Sequence, residues 1–399
     1  MIKKITYCII VTYCLISLSC TETFIPVSDG YNNLLVVEGN LTDELKQHKI
    51  KLTESYTLTE EKPFIVSNAS VTIEENNNNF YEFEFNDQDS SYVSVQAFQA
   101  EPNSEYILNI ELANGEIYRS TPQSSPNSAS LSISPSVQTQ DNIKGIRIGA
   151  SSLLQNNTDT SYYRYEYEET YKIIAPQWSS MQAVEVSPNV IDWIPREEEE
   201  RVCYNTELSS EIIINSSNQE IIDFPVLFLS QQNPKIGVRY SILVKQYLEN
   251  EETYQFYKNL KKISEGSENT LSPIQPGKIT GNIRSNTGQN ALGYFSVSSK
   301  AEQRIFFNYE HLFPNEPHPP YFRICDTTTT RRLNKIDFSP NPPPAEALII
   351  IDFIHSRRMV LWQIFAEIYY IMVPRACGDC TALGSNIYYQ YRYQDSQIN

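Results

Sequence analysis

Short strand-like segments separated by turns dominate the first third of the chain. Several of them alternate hydrophobic and polar residues with a period of two, which is typical of half-buried strands. The pair Asn114-Gly115, a strong hairpin signal, separates the last two segments. The predicted strands are 34–37, 49–53, 71–74, 80–85, 92–95, 106–112 and 116–118. Strands at this spacing, without a helical pattern between them, predict an immunoglobulin-like β-sandwich over residues 32–120.

A second β-rich region follows a stretch of Pro and Ser residues. This stretch, 121–130, predicts a linker, and the second domain is predicted to cover 131–399. Its predicted strands are 143–148, 161–167, 211–214, 226–229, 238–244, 279–284, 292–297 and 304–307. The expected fold class is therefore mainly β, with the sandwich followed by a larger β-rich domain.

The predicted strand 161–167 has two chemically different faces. Because successive side chains of a strand point to opposite faces, Tyr163, Tyr165 and Tyr167 share one face. The other face has Tyr162, Arg164 and Glu166. We interpret the tyrosine face as a packed sheet face. A platform for a ligand is the alternative, because tyrosine suits both environments.

One helix is clearly signalled near 250–265. Asn250 can cap its first turn, two glutamates suit the positive end of the helix dipole, and Gly266 can end it. Three apolar residues recur at helical spacing and form one stripe: Phe256, Leu260 and Ile263. We expect this stripe to pack against the sheet as core.

Two regions of the second domain lack a clear period. Residues 174–200 contain two tryptophans and a run of glutamates, and we interpret them as a long insertion between strands. The runs 345–354 and 359–373 are strongly apolar but too short and too interrupted for membrane helices. They are predicted to be buried strands with a helical turn around Trp362. The alternative is an apolar surface that docks on a partner.

The chain is acidic, with a formal net charge of −17. Nucleic acid and anionic lipid are poor partners at this charge, because both would be repelled. We therefore predict no nucleic-acid partner. The acidity suits a solvated surface outside the cytoplasm.

The N-terminal segment has the three parts of a bacterial lipoprotein signal peptide. Two lysines precede an apolar run over 5–18, small Ser19 follows, and Cys20 opens the first polar stretch. We predict removal of residues 1–19, lipid on Cys20, and a lipidated tether over 20–31 that attaches the protein to a membrane. Ser17 stands where such signals usually have Leu, so a plain secretory signal is the alternative.

Four further cysteines follow the signal segment: Cys203, Cys325, Cys377 and Cys380. An even number in an oxidising compartment predicts two disulfides. Four cysteines allow three pairings, and closure of the pair Cys377/Cys380 on itself is one of them. Zinc binding and redox chemistry are weaker alternatives for this CxxC pair, because no second CxxC or histidine pair lies nearby and no helix signal follows.

No catalytic motif is present in the sequence. The sequence has no nucleophile elbow, phosphate-binding loop or dinucleotide-binding pattern. The four histidines are far apart along the chain: His48, His311, His318 and His355. Residues 86–89 resemble the start of a calcium loop but lack its glycine and closing glutamate, so a polar turn is expected. We predict no enzyme activity, no cofactor and no bound metal.

A series of motifs runs along the chain after the signal segment. The motifs are Val37-Glu38-Gly39, Cys203-Tyr204, Arg239-Tyr240-Ser241, Gln246-Tyr247, Tyr254 with Tyr257, Pro273 to Pro276, Gly281-Asn282-Ile283, Leu292-Gly293-Tyr294-Phe295 and the CxDC element Cys377 to Cys380. This series resembles the Bacteroidota lipoprotein family known as domain of unknown function 4249. The series extends through nearly the whole chain after Cys20. In place of the Pro and Trp that the family tends to have after CxDC, this chain has the segment that starts at Ile387.

The resemblance implies an outer-membrane lipoprotein at the cell surface. Its family is similar to lipoproteins that accompany TonB-dependent transporters, which implies a non-enzymatic accessory or ligand-capture partner whose ligand is unknown. An adhesin or envelope-structural lipoprotein is the alternative. A cryptic glycan-active enzyme is the third candidate, because glycosidase carboxylates can be far apart in sequence.

Overall fold

The computed structural model describes residues 34–55, 63–76, 78–128, 130–153, 160–187, 190–266, 281–331, 345–365 and 369–385. The predicted signal peptide, the tether and Cys20 lie outside the described residues, as do Pro273 to Pro276 and the segment from Ile387. The predictions made for them therefore stay predictions.

The described residues of the N-terminal region form eight strands. Their bounds, β1 to β8 in chain order, are Leu35–Thr42, Lys49–Glu54, Ser70–Glu75, Asn79–Asn86, Ser91–Ser94, Glu105–Glu111, Ile117–Ser120 and Gln123–Ser124. The next nine, β9 to β17, are Ser132–Gln140, Ile143–Ser152, Ser161–Ile174, Met181–Ser187, Val190–Pro195, Val202–Leu208, Ile213–Ser217, Ile221–Ser230 and Arg239–Glu249. A 3-10 turn, Pro234–Ile236, precedes β17.

Helix α1 spans Glu251–Gly266 and is followed by β18, Ile283–Ser285, and the long strand β19, Leu292–Asn308. The remaining elements in chain order are α2, Tyr309–Leu312; β20, Thr328–Arg331; α3, Ala345–Ser356; β21, Met359–Phe365; β22, Tyr369–Pro374; α4, Arg375–Gly378; and a 3-10 turn, Cys380–Ala382. The protein is mainly β, as the sequence predicts.

The N-terminal strands enclose one hydrophobic core. They follow one another in the order β1-β2-β5-β4-β3-β6-β7, and β18 pairs with β7 at the end. Inward residues of these strands, such as Val37, Ile73 and Leu108, are fully buried. The hairpin signal is also confirmed, because Gly115 takes a positive φ of 84° and the Asn114 carboxamide accepts a hydrogen bond from the Glu116 amide.

Strand β19 connects this core to a second one. Its first half pairs in parallel with β1, from Leu292 opposite Val36 to Ser298 opposite Thr42. Its second half pairs antiparallel with β17, from Ser299 to Asn308. Phe295 accordingly lies in the N-terminal core and Phe307 in the second core. The sequence predicts two separate strands here and assigns both to the second domain. The structure adds that residues 281–299 belong in space to the N-terminal unit.

The second core lies between two β layers. One layer is the continuation of the large sheet, in the order β14-β11-β17-β19, and the other is the small sheet β16-β10-β9. Tyr163 and Tyr165 are 0% and 1% exposed in this core, and Tyr167 packs against its edge. The interpretation of the tyrosine face as a packed sheet face is therefore confirmed.

Helix α1 begins as predicted but presents a different face to the core. The Asn250 Oδ1 accepts a 2.8 Å hydrogen bond from the Thr253 amide, which caps the first turn. The buried residues of the helix are Thr253 and Tyr254. The stripe that the sequence predicts as core is only half-buried: Phe256, Leu260 and Ile263. The prediction was wrong because periodicity shows that a helix has an apolar face but not what that face meets.

The insertion and the C-terminal runs form a third core together. Strands β12 and β13 make a hairpin within the predicted insertion, and Ile191 of β13 is buried with Ile350, Leu361 and Tyr370. The run 345–354 is a helix, not the predicted strand, and Trp362 lies in strand β21, not in a helical turn. A short apolar run fits a buried helix and a buried strand equally well, so its neighbours decide the outcome.

The two disulfides cross between segments. Cys203 is bonded to Cys380 and Cys325 to Cys377. Two disulfides agree with the prediction, and the CxxC pair does not close on itself. Cys203 lies on β14 of the second core, whereas Cys377 and Cys380 follow β22. The disulfides therefore attach the third core to the second.

Gly293 is expected to be essential where β19 meets β1. Its φ is +87°, and an added Cβ would lie 2.0 Å from the Val37 carbonyl oxygen. We expect Gly293→Ala to lower the free energy of unfolding by about 3 kcal/mol, as measured by urea denaturation, because backbone strain and a backbone clash add together.

Gly288→Ala is the matched control for this substitution. Gly288 has a φ of +89°, but an added Cβ would have nothing within 4 Å. Only the backbone strain, about 1 kcal/mol, applies there. Equal losses of unfolding free energy in the two variants would show that the close approach of β19 to β1 adds nothing to the cost of Gly293→Ala.

Candidate functional site

A cleft of about 960 Å³ lies where the two cores meet along β19. Strands β1 and β2 form one side, β11 and β17 contribute to the other, and helix α1 and the start of β19 complete it. This volume is within the range of small-molecule sites, which favour boundaries between structural units. Its side chains include charged, aromatic and aliphatic groups.

A row of three side chains crosses the β1 side of the cleft. Glu38 on β1 lies directly opposite Lys51 on β2 and directly opposite Tyr294 on β19. Residues that are paired across neighbouring strands share one face of the sheet, so the three side chains point to the same side. All three line the cleft, and Glu38 and Lys51 are exposed.

Aromatic and aliphatic groups lie beside this row. The rings of Phe256 and Tyr294 have centroids 4.7 Å apart, and Phe256 contacts Tyr257 edge-on at 5.5 Å. Leu260 and Leu292 also line the cleft. Burial is the main cause that raises the pKa of Tyr294 to about 12, so its hydroxyl is neutral at pH 7. The half-buried stripe of α1 thus forms an apolar wall.

Arg164 forms the most deeply buried charged part of the lining. Its guanidinium carbon lies 4.1 Å from the Tyr247 ring centre and 4.7 Å from that of Tyr257. Its Nε donates a 2.9 Å hydrogen bond to buried Glu249, and its Nη1 donates to Glu166. Burial raises the pKa of Glu249, against the opposing effect of Arg164. Arg164 is therefore held rigidly by charge and by two rings.

Most other charges of the cleft are already compensated. Lys49 forms a 2.9 Å ion pair with Asp89, and Lys46 pairs with Glu44. Burial by itself raises the pKa of Glu44, but Lys300 and Lys46 outweigh it and lower that pKa to about 2. Within the part of the chain that the structure describes, no ion-pair partner lies within 4.0 Å of Glu38 or of Lys51.

His48 lines the cleft but is held in a structural role. Burial is the main cause that lowers the pKa of His48 to about 4, and its Nε2 lies 2.9 Å from the Phe98 carbonyl oxygen. The ring is therefore neutral at pH 7. It shares no metal-type cluster: among the described residues, no group of three or more His, Cys, Asp or Glu could hold a metal ion.

The cysteines predicted as disulfide partners lie away from the cleft. The four paired cysteines connect the second and third cores and do not line the cleft. The alternation in strand 161–167 predicts the face with Arg164 and Glu166 but indicates no role for it. Glu38 and Lys51 could not be predicted as site residues, because their proximity depends on the pairing of β1 with β2.

Two further, smaller cavities lie on the described part of the chain. One, of about 440 Å³, lies between the insertion hairpin and the C-terminal strands. The other, of about 320 Å³, shares Arg164, Glu166 and Tyr257 with the cleft. In the described ranges, no helix combines the length and hydrophobicity required to cross a membrane.

The fold and the cleft define a mainly β protein in which two cores share one strand and enclose an amphipathic cavity. The family model described as "Domain of unknown function (DUF4249)" matches residues 21–304, and the chain belongs to that family. Every cleft-lining residue falls within the matched range. The predicted membership of the DUF4249 family is thereby confirmed. No curated protein matches the chain.

Proposed function

We propose that the protein is a non-enzymatic ligand-capture lipoprotein and that the cleft is its binding site. The observation that carries this proposal is the 960 Å³ cleft, which combines an aromatic wall with charged groups from both structural units. Such a combination of apolar surface and a few oriented polar groups is typical of small-molecule sites.

Three motifs of the family resemblance meet in this cleft and support the proposal. Val37-Glu38-Gly39 lies on β1, Tyr247 on β17, and Leu292-Gly293-Tyr294 at the start of β19. They are more than 40 positions apart from one another along the chain, yet they line one cavity. A purely structural envelope protein would have no need for a shared cavity there.

The acidic groups of the cleft argue against the glycan-active alternative. A glycosidase needs one carboxyl group as an acid and a second as a base or nucleophile. Asp89 and Glu166 are both engaged with basic side chains, Lys49 and Arg164. Among the described lining residues, Glu38 is the one carboxylate without a basic partner, so no free pair of carboxylates remains.

In the proposed arrangement, lipid on Cys20 anchors the protein in the outer membrane, at the cell surface. A lipid anchor leaves the folded part free to accompany a membrane partner. We propose that this partner is a TonB-dependent transporter, to which the cleft delivers its ligand.

The test is purification of the native lipoprotein in mild detergent, followed by mass identification of what accompanies it. We expect an outer-membrane transporter in stoichiometric amount. The matched control is Cys20→Ala, which should lose both the lipid and the transporter because anchoring keeps the partners at high local concentration. Recovery of the lipidated protein without any transporter would contradict the proposed partnership, and normal nutrient uptake with altered attachment in a deletion strain would favour an adhesin.

A further inference from the structure

The charges that remain uncompensated in the cleft indicate its ligand. Among the charged lining residues, Lys46, Lys49 and Arg164 each have a carboxylate partner. Glu38 and Lys51 are the opposite charges that no described residue pairs within 4.0 Å. They are directly opposite each other on β1 and β2 and share one face.

The absence of a direct contact between Glu38 and Lys51 is informative. Side chains that are directly opposed across antiparallel strands have Cβ atoms roughly 5 Å apart, so a Glu–Lys pair can easily form an ion pair there. In this structure the two charged ends stay separate and exposed to the cleft. The arrangement offers one anionic and one cationic contact to the same ligand.

The third member of the row supplies an apolar contact. Tyr294 is on the strand next to Glu38, on the side away from Lys51, and its ring lies beside Phe256. Neighbouring strands are about 4.8 Å apart, so the cation Lys51, the anion Glu38 and the aromatic ring of Tyr294 follow one another at this interval. A ligand that matches the row would have a carboxylate, an ammonium and an apolar group in that order.

We propose that the cleft binds a zwitterionic ligand of the amino-acid or short-peptide class with an aromatic or apolar side group. Its carboxylate is placed at Lys51, its ammonium at Glu38 and its side group against Tyr294 and Phe256. The inference rests on the proposed ligand-capture function and deepens it. The compensated charges of the other lining residues keep the rest of the cleft close to neutral, which suits a ligand without net charge.

The test uses four probes that share one phenyl group and differ in charge. They are L-phenylalanine, the anion 3-phenylpropionate, the cation 2-phenylethylamine and the neutral 3-phenylpropanamide, each titrated by calorimetry and by saturation-transfer NMR up to millimolar concentration. We expect L-phenylalanine to bind best, with about a fivefold loss for each charge removed, since an exposed ion pair contributes at most about this factor.

Charge variants test the assignment of each contact. Glu38→Gln should remove the preference for the ammonium, and Lys51→Gln the preference for the carboxylate. The double variant Glu38→Lys with Lys51→Glu should retain the preference for the zwitterion, which a merely damaged cleft would not do. Glu84→Gln and Lys262→Gln are matched controls, because both residues are exposed and neither lines the cleft.

The outcomes separate this inference from the proposed function. Equal binding of all four probes, abolished by Phe256→Ala, would overturn the zwitterion assignment and leave capture by the cleft standing. Binding that Phe256→Ala does not change would place the probes elsewhere and overturn the site. No binding of any probe would overturn the ligand class, whereas transporter co-purification would still decide the proposed partnership.

Discussion

Replacement of both Cys203 and Cys380 by Ala is expected to lower the free energy of unfolding by about 4 kcal/mol, measured by urea denaturation without reductant. The disulfide joins residues 177 positions apart, so its loss greatly increases the conformational freedom of the unfolded chain. Both cysteines are fully buried, and their removal also loosens the contact of the third core with the second.

The second disulfide provides the control for this prediction. Cys325 and Cys377 are 52 positions apart, so replacing both should cost less, about 3 kcal/mol. Cys325 is partly exposed, whereas Cys203 and Cys380 are not, so limited reductant should open Cys325–Cys377 first. Peptide mapping without reduction should find these two pairs, and a Cys377–Cys380 peptide would contradict the structure.

Arg164→Met is expected to lower the free energy of unfolding by about 3 to 4 kcal/mol at pH 7. The substitution leaves Glu249, whose side chain is 1% exposed, as a buried carboxylate without its basic partner. Methionine retains an apolar stem between Tyr247 and Tyr257, so the loss reports mainly the charge. Arg119→Met is the control, because the Arg119 side chain is 53% exposed and its ion pair with Glu74 should contribute less than about 1 kcal/mol.

The cost of Arg164→Met should depend on pH in a defined direction. Burial already raises the pKa of Glu249 in the folded protein above the usual value for a glutamate, and the variant loses the opposing charge. A carboxyl group with a raised folded pKa stabilises the fold most when it is protonated, and this contribution is lost as pH rises through the folded pKa. The difference in the free energy of unfolding between variant and wild type should therefore be smallest near pH 4.

A second substitution distinguishes this explanation from loss of packing. Glu249→Gln removes the buried charge, so adding it to Arg164→Met should recover most of the lost stability at pH 7. An Arg164→Met variant whose cost is independent of pH, and which Glu249→Gln does not rescue, would show that Arg164 acts through its contacts with the two tyrosine rings alone.

Local signals were reliable wherever the physical cause is local. The Asn250 cap, the Asn114-Gly115 hairpin and the two faces of strand 161–167 all follow from backbone and side-chain chemistry within a few residues. The mainly β fold class follows from many such signals together. The predictions that were wrong concern what an apolar face contacts, as in the stripe of α1 and the run 345–354.

The candidate site could not be located from the sequence because its parts come from distant segments. Lys51 and Glu38 meet through the register of β1 with β2, and Tyr294 joins them only because β19 returns to pair in parallel with β1. A parallel pairing between residues about 250 positions apart leaves no signal in local periodicity. The two rings that hold Arg164 likewise come from distant segments, Tyr247 from β17 and Tyr257 from α1.

The amino-acid sequence by itself determined the strand-rich class, the family, the capped helix and the presence of four cysteines that can pair. Only the tertiary structure decided which cysteines pair, which side of the helix is covered and where charged and aromatic groups converge. The physical reason is that strand propensity and capping act over a few residues, whereas strand register, disulfide pairing and cleft formation depend on contacts between segments that are far apart in the chain.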